Sequence, residues 1–146
     1  MKRRKVLFVC TGNTCRSPMA EALLRGLIKQ RKIKFVDVAS AGLCVREDAV
    51  LSPFAEQTLS ENGLTLPKFH PRQLTEKIYA GAFVVITMTD EQKAYFKGAD
   101  KVYAMSDVAD GVQIPDPYGG GIEVYRKTFR VLSVAMDKIA DSIAGN

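Results

Sequence analysis

The chain has 146 residues, of which 47% are hydrophobic and 25% charged, values typical of one compact globular domain over residues 1–146. This composition excludes a disordered chain, a collagen-like repeat and a coiled coil, and no apolar run approaches the ~20 residues that cross a bilayer. The 21 Lys and Arg outnumber the 16 Asp and Glu, a balance that suits nucleic acid, an acidic membrane surface or a phosphorylated substrate without selecting one.

The first predicted elements are a strand, a helix and a second strand. Residues 6–9 form a short β-rich run that is typical of a buried strand. Ser17 before Pro18 predicts the N-cap of the helix, because serine caps well and proline favours the first helical position. The apolar face of this helix is formed by Ala20, Leu23, Leu24, Leu27 and Ile28. The second strand covers residues 35–39 and is closed by Ser40-Ala41-Gly42.

The remaining elements continue to alternate between helix and strand. After a loop over 43–50, a helix is predicted over 51–61, ended by Asn62-Gly63, and an irregular stretch over 64–73. A helical turn or short helix over 74–79 precedes a strand over 82–88, and a Thr89 and Gln92 capping box opens another short helix. The last elements are a strand over 101–105, a loop over 106–122 and an amphipathic helix over 125–143. This alternation predicts an α/β fold with a parallel sheet flanked by helices. In such sheets ligands bind beyond the carboxyl ends of the strands, where the loop after residue 9 lies.

That loop, Cys10–Pro18, has the features of a phosphate site. Consecutive backbone N–H groups in a tight loop can converge on one anion, and the N-terminus of the following helix adds unsatisfied donors. Gly12 and Asn13 are residue types that tolerate the positive φ such a curl needs. The lysine followed by serine or threonine of a nucleotide P-loop is absent. The predicted ligand is therefore phosphate, or an oxyanion of similar shape, outside a nucleotide site.

Both ends of the loop carry side chains suited to phosphoryl transfer. Cys10 at the floor of an electropositive cradle is expected to be a thiolate at neutral pH, able to attack phosphorus. Arg16 offers a planar fork of donors for two phosphate oxygens and for the charge that grows on them in the transition state. Ser17 can donate its hydroxyl to the Cys10 thiolate, in place of capping the helix or alongside it. The pattern Cys-x₅-Arg alone is weak, and the strand before it and the helix after it strengthen it.

Phosphoryl transfer to a cysteine also needs a proton for the leaving group. Asp116, held between two prolines in the 106–122 loop, is the candidate acid because its backbone is stiff. Asp107 and Asp110 are competing carboxylates in the same loop. By spacing alone, a turn-forming role for Asp116 is an equal alternative.

Together these motifs resemble the low-molecular-weight protein tyrosine phosphatase family. The resemblance rests on residues 10–18, on Asp116-Pro-Tyr-Gly119 and on Ser40-Ala-Gly42 after the second strand. It implies a flavodoxin-like α/β fold with a four-stranded parallel sheet and helices on both faces. It also implies two-step hydrolysis through a cysteinyl-phosphate, with no metal and no other cofactor.

The resemblance carries roles over to the matching residues. Cys10 becomes the nucleophile, Arg16 the phosphate clamp, and Asp116 first the general acid and then the base that activates water. The substrate- and phosphate-binding residues it implies are Thr11, Gly12, Asn13, Thr14, Cys15, Ser17 and Tyr118.

Three of these loop residues have supporting roles in the family. Asn13 holds the strained geometry of the loop, and Ser17 stabilises the thiolate. Cys15 resembles a second loop cysteine that can form a reversible disulfide with the nucleophile, which shields the nucleophile from irreversible oxidation.

The substrate is open between two phosphoamino acids. Family members selective for phosphotyrosine tend to have a bulky aliphatic residue after the nucleophile and an aromatic residue in the loop after the second strand. Here Thr11 follows the nucleophile, residues 43–48 contain no aromatic residue, and Tyr118 is the remaining ring wall. The stretches 10–21 and 116–120 resemble the bacterial protein arginine phosphatase branch, in which the threonine favours the polar phosphoguanidinium. Phosphoarginine and phosphotyrosine are therefore near-equal predictions.

Two other functions are alternatives. An arsenate reductase would use the same oxyanion loop, but thioredoxin-linked versions need a downstream cysteine pair, and only Cys44 follows Cys15. A non-enzymatic phosphate-binding module would keep the loop and Arg16 without needing Cys10 or Asp116. The presence of both residues favours catalysis.

The expected partners are phosphorylated proteins, with inorganic phosphate or similar oxyanions as product or inhibitors. We expect no nucleic acid, because aromatic and basic residues are not interleaved, and no membrane. Three cysteines without a Cys-x-x-Cys pair fit neither a disulfide scaffold nor a zinc site. The apolar run after the N-terminus is too short for a signal peptide, so we expect a reduced, cytoplasmic protein.

Overall fold

The computed structural model describes residues 2–145, so Met1 and Asn146, the two ends of the predicted 1–146 domain, lie outside the described residues. The described strands are β1 (Arg4–Cys10), β2 (Val36–Gly42), β3 (Val84–Thr87) and β4 (Val102–Ala104). The described helices are α1 (Arg16–Gln30), α2 (Pro53–Glu61), α3 (Glu76–Ala80), α4 (Asp90–Ala94), α5 (Met105–Val108) and α6 (Ile122–Ala144). None of these helices combines the length and the apolar character that a membrane span requires.

The four strands form one parallel sheet in the order β2-β1-β3-β4. β1 lies inside the sheet and is buried on both faces because its second half is a continuous apolar run. Its alternate side chains point to opposite faces: Val6, Phe8 and Cys10 pack with α1 and α6, whereas Leu7 and Val9 pack on the side of α3. The predicted flavodoxin-like α/β fold, with helices on both faces of a four-stranded parallel sheet, is confirmed.

The C-terminal helix α6 packs its apolar stripe against α1 and the sheet. The stripe predicted from spacing is buried at Tyr125, Phe129, Leu132, Met136 and Ile139. Full burial of one large apolar side chain contributes about 1.5–3 kcal/mol of transfer free energy. The five buried side chains of this stripe therefore contribute a large part of the hydrophobic stabilisation of the fold. The packing also brings the first turns of α6 beside the loop that follows β1.

Two boundaries near that loop differ from the prediction. β2 continues through Ser40–Gly42, because these residues pair with Phe8–Cys10 of β1 instead of closing the strand. α1 begins at Arg16 with Cys15 at the N-cap position, so the prediction that Ser17 caps the helix is wrong. The hydroxyl of Ser17 lies inside the first turn and contacts another partner, described below.

The predicted 106–122 loop begins with a helical turn that the sequence did not indicate. Met105–Val108 form α5, so the strand before it ends at Ala104. The Asp107 carboxylate stabilises this turn by accepting a hydrogen bond from the Ala104 N–H at 2.8 Å, and it pairs with Lys93 at 2.7 Å. Lys93 and, less strongly, this N–H lower the pKa of Asp107, although its burial opposes them. Of the predicted 106–122 loop, residues 109–121 are irregular backbone.

Candidate active site

The loop between β1 and α1 lies at the carboxyl end of an inner strand of the sheet, as predicted. It lines a cavity of about 310 Å³ to which two other segments, distant in sequence, contribute. The lining residues are Cys10, Thr11, Gly12, Thr14, Cys15 and Arg16 from this loop, Cys44, Arg46 and Ala49 from the loop after β2, and Asp116 and Tyr118 from the loop before α6. The cavity thus holds the three residues predicted to be catalytic.

The backbone of the loop leaves its N–H groups free. Three loop carbonyls accept hydrogen bonds from the segment after β2: Cys10 from Leu43 at 3.0 Å, Thr11 from Cys44 at 2.8 Å and Thr14 from Ser52 at 2.9 Å. Because C=O and N–H point in opposite directions across a trans peptide, the next N–H in each case points away from that segment. Within residues 2–145, the N–H groups of residues 11–15 donate to no protein acceptor. Such free, consecutive donors at a helix N-terminus are suited to an anion.

The curl of the loop depends on Asn13 rather than on Gly12. Asn13 has a φ of 56°, in the left-handed region that asparagine tolerates. Gly12, the other residue of the loop that tolerates a positive φ, does not adopt one, and a Cβ there would meet only the Thr14 Oγ1 at 3.7 Å. The close approach occurs instead at Gly42 of β2, where a Cβ would lie 2.8 Å from the Thr11 carbonyl oxygen. One left-handed residue reverses the loop, and a glycine in the neighbouring strand makes room for it.

The sulfur of Cys10 has a hydrogen-bond donor directed at it. Cys10 Sγ lies 2.9 Å from Ser17 Oγ, and both groups are buried. Ser17 Oγ accepts a hydrogen bond from Asn13 Nδ2 at 2.8 Å, and the Asn13 amide cannot be reversed because its Oδ1 accepts from the Arg72 N–H at 2.9 Å. Within the described residues Ser17 has no other acceptor for its proton, so its hydroxyl donates to the sulfur. A hydrogen bond of this kind stabilises a thiolate.

A second layer of polar residues holds Asn13 in place. Asn13 also donates to Ser40 Oγ at 3.0 Å, and Ser40 donates to the carboxylate of Glu21 at 2.7 Å. Glu21 is only 6% exposed and pairs with Arg25 at 3.0 Å, which compensates its buried charge. The motifs contained Ser40 and, at the end of the stretch 10–21, Glu21, but they gave neither residue a role in this network. Its contacts could not be predicted because they join separate parts of the chain.

Arg16 and Asp116 both line the cavity and form an ion pair there. Arg16 is 6% exposed, and one of its terminal nitrogens is anchored by the Ile114 carbonyl oxygen at 3.0 Å. The other terminal nitrogen lies 3.7 Å from Asp116 Oδ2. The Asp116 side chain is 55% exposed, and its Oδ1 accepts from the Tyr118 N–H at 3.0 Å. Its carboxyl group is therefore held by its own turn and is open to the cavity.

The competing carboxylates are engaged elsewhere. Asp107 pairs with Lys93 and stabilises α5, and Asp110 pairs with Lys138 of α6. Neither carboxylate lines the cavity. Of the three candidates, only Asp116 is near the loop that carries Cys10.

Cys15 contacts a tyrosine that the sequence indicated only as a core residue. Its Sγ lies 3.2 Å from the hydroxyl of Tyr125, which accepts a hydrogen bond from Ser52 at 3.0 Å. Burial, together with the hydrogen bond to Cys15, raises the pKa of Tyr125 to about 12. The Tyr125 hydroxyl therefore stays protonated at neutral pH, and with Ser52 donating to its oxygen, its proton is directed at the Cys15 sulfur.

Thr11 lies exposed at the mouth of the cavity, and its hydroxyl has one protein partner among the described residues. Gln92 of α4 donates its side-chain N–H to Thr11 Oγ1 at 3.2 Å. The predicted capping box of Thr89 and Gln92 is confirmed. The contact between Gln92 and the loop was not predicted, because it joins residues 81 positions apart.

Comparisons with known proteins agree with this geometry. The family model described as low molecular weight phosphotyrosine protein phosphatase matches residues 5–146. A protein-arginine-phosphatase of Geobacillus stearothermophilus is 35% identical over 146 residues, which cover 95% of this chain and 95% of the relative. The crystal structure of a low molecular weight protein tyrosine phosphatase from T. tengcongensis is similar with a TM-score of 0.89 at 34% identity, covering 95% of this chain and 99% of that one. A YwlE arginine phosphatase mutant with a phosphorylated active-site serine is similar with a TM-score of 0.87 at 31% identity, covering 94% of each chain. The chain therefore belongs to the low-molecular-weight phosphotyrosine protein phosphatase family and is a phosphatase.

Proposed function

We propose that this phosphatase acts on phosphorylated proteins through a phosphorylated Cys10, with Arg16 and Asp116 as its other catalytic residues. The observation that supports this best is that these three residues, from two distant segments, line one cavity with the free N–H groups of the loop. We also propose that residues 1–146 form one domain, in agreement with a family match over residues 5–146. Attack by Cys10 requires a reduced sulfur, which fits a reducing compartment such as the cytoplasm.

In the first step the Cys10 thiolate attacks phosphorus, so that a P–S bond forms while the bond from phosphorus to the leaving group breaks. Asp116 gives its proton to the departing oxygen or nitrogen. Arg16 and the loop N–H groups bind the non-bridging oxygens and stabilise their charge in the transition state.

In the second step water attacks the phosphorus of the cysteinyl-phosphate. The Asp116 carboxylate accepts a proton from that water, the P–S bond breaks, and inorganic phosphate is released. The sulfur leaves as a thiolate, which the Ser17 hydroxyl stabilises at 2.9 Å. Asp116 is then protonated again and is ready for the next leaving group.

Phosphoarginine is the substrate that the cavity mouth favours. The hydroxyl of Thr11 provides a polar group for the N–H donors of a phosphoguanidinium, and the neighbouring stretch 43–48 has no aromatic residue. Phosphotyrosine is the second candidate, because Tyr118, 69% exposed at the rim, can pack against a phenyl ring. The curated relatives include protein-arginine-phosphatases and protein-tyrosine-phosphatases, so both substrate classes occur among similar proteins.

Replacing Thr11 by isoleucine is expected to shift the substrate preference toward phosphotyrosine. The ratio of kcat/KM for a phosphoarginine peptide to kcat/KM for a phosphotyrosine peptide should fall at least about tenfold, because the hydroxyl partner is lost and apolar surface is gained. Thr11→Val separates the loss of the hydroxyl from the added bulk. The measurement is phosphate release from two peptides that differ only in the phosphorylated residue.

Thr14→Val is the matched control, because Thr14 lies in the same loop and its hydroxyl contacts only the Cys15 sulfur among the described residues, at 3.6 Å. It should change turnover of the two peptides by the same factor. A wild-type enzyme without preference for phosphoarginine, together with an unchanged ratio in Thr11→Ile, would end the phosphoarginine assignment.

We also propose that Cys15 protects Cys10 from irreversible oxidation by forming a disulfide with it. Both residues are buried and reduced, and both line the same cavity. Wild type treated with hydrogen peroxide should recover most of its activity after a thiol reductant is added. Cys15→Ser should stay inactive, because sulfenic acid at Cys10 proceeds to sulfinic acid when no partner thiol is present. Cys44→Ser is the control and should recover like wild type, whereas equal recovery in Cys15→Ser would refute the proposal.

The two alternative functions have less support. A thioredoxin-linked arsenate reductase needs a downstream cysteine pair that passes the disulfide to the protein surface. Here the exposed Cys44 is the only cysteine after Cys15. A phosphate-binding module has no need for the Ser17 donor directed at Cys10 or for Asp116 in the cavity. Turnover of phosphopeptides without arsenate reduction would separate phosphatase from reductase.

A further inference from the structure

Gln92, in the first turn of α4, connects the backbone after β3 to the mouth of the active site. The residue is 7% exposed. Its Oε1 accepts hydrogen bonds from the N–H groups of Met88 at 3.0 Å and Thr89 at 3.2 Å. Its Nε2 donates to Thr11 Oγ1 at 3.2 Å. Both polar atoms of this side chain thus form hydrogen bonds, and only the one to Thr11 reaches the active-site loop.

The direction of the hydrogen bond between Gln92 and Thr11 is fixed by the backbone. Reversing the Gln92 amide would set its NH₂ group against two N–H donors, so the carboxamide oxygen must face Met88 and Thr89. The Thr11 hydroxyl therefore accepts from Gln92, and its proton and its second lone pair are left for a ligand. Because threonine is branched at Cβ, holding Oγ1 also fixes where its methyl group points.

We propose that Gln92 is a positioning residue for substrate choice, which acts by holding the Thr11 hydroxyl toward the phosphorylated side chain. This rests on the proposed function, because it assigns the discrimination between substrates to Thr11. A guanidinium N–H of phosphoarginine donates to the second lone pair of Thr11 Oγ1. The phenyl ring of phosphotyrosine has no donor for that lone pair. Loss of Gln92 therefore weakens phosphoarginine turnover more than phosphotyrosine turnover.

The test is Gln92→Met, introduced into wild type and into Thr11→Val. Methionine keeps the length and apolar volume of glutamine but cannot donate to Thr11. In wild type the change should lower the phosphoarginine to phosphotyrosine ratio of kcat/KM about three- to tenfold, the size of one net hydrogen bond. In Thr11→Val the same change should leave the ratio unaltered, because the hydroxyl on which Gln92 acts is already absent.

Thr89→Ala separates positioning from helix capping. It removes the Thr89 hydroxyl that accepts from the Gln92 N–H at 3.2 Å, the other half of the capping box, without touching Thr11. It should lower the thermal midpoint and leave the substrate ratio unchanged. Gln92→Met leaves the Met88 N–H paired with the Val9 carbonyl oxygen at 3.1 Å, so the strand end stays anchored.

A measurement on the free enzyme keeps this proposal separate from the substrate assignment. Side-chain scalar couplings of Thr11 should report one χ1 rotamer in wild type and an average of several in Gln92→Met. If the enzyme does not hydrolyse phosphoarginine but the Thr11 rotamers still become averaged in Gln92→Met, the substrate assignment is overturned. The proposed effect of Gln92 on substrate choice is then overturned with it. A single Thr11 rotamer in both proteins would refute the positioning role, as would an equal shift of the ratio in the Thr11→Val background.

Discussion

Cys10→Ser is expected to abolish phosphate release, with kcat reduced by at least about 10⁴-fold. A serine hydroxyl is not ionised at neutral pH, and the group that faces it, Ser17 Oγ at 2.9 Å, is no base, because this hydroxyl already accepts a hydrogen bond from Asn13. The variant should keep its fold, because the substitution replaces sulfur by the smaller oxygen at a site where a hydrogen-bond partner is present. The measurement is phosphate release from phosphopeptides and from p-nitrophenyl phosphate, with circular dichroism as the check on folding.

Cys44→Ser is the matched control, because Cys44 is an exposed cysteine at the rim of the same cavity. It should retain turnover close to that of wild type. Denaturing wild type during turnover and locating the phosphoryl group by mass spectrometry adds a direct test of the intermediate. Substantial turnover by folded Cys10→Ser, or a phosphoryl group found on another residue, would refute the nucleophile assignment.

Asp116→Ala is expected to reduce activity in a manner that depends on the leaving group. For phosphopeptides, whose leaving groups need a proton, kcat/KM should fall about 10²–10⁴-fold, the usual contribution of general acid catalysis. For p-nitrophenyl phosphate, whose leaving group departs as an anion, kcat/KM should fall less than about tenfold. The reason is that kcat/KM reports the step up to departure of the leaving group, whereas kcat also includes hydrolysis of the cysteinyl-phosphate, in which Asp116 acts as base.

Asp110→Asn is the control for this experiment. Asp110 lies in the same segment of the chain but pairs with Lys138, and its φ of 53° is one that asparagine tolerates. It should leave kcat/KM for both substrate types near the wild-type values. Equal losses for good and poor leaving groups in Asp116→Ala would remove Asp116 from the acid role and leave it a residue of the turn.

The elements of the fold could be predicted because their signals are local. The periodicity of α6 and the capping box of α4 are carried by neighbouring residues, and both are confirmed. The predicted cap at Ser17 was wrong because the curl at Asn13 places the serine hydroxyl against the Cys10 sulfur, where it donates in place of capping, the other role that the sequence offered it. The extension of β2 through Ser40–Gly42 was missed for a tertiary reason, since its pairing with β1 decides where β2 ends.

The chemistry of the loop follows from the sequence alone, because Cys10 and Arg16 are near neighbours at the junction of a strand and a helix. Spacing left the acid open among three carboxylates, and Asp116 was selected only by the family resemblance. The packed structure separates the three, because it brings Asp116 to the cavity while Lys93 and Lys138 pair with the other two. The groups that orient the loop come from elements far apart in the chain. Their hydrogen bonds exist only once the sheet and its helices have packed, so no local pattern could reveal them.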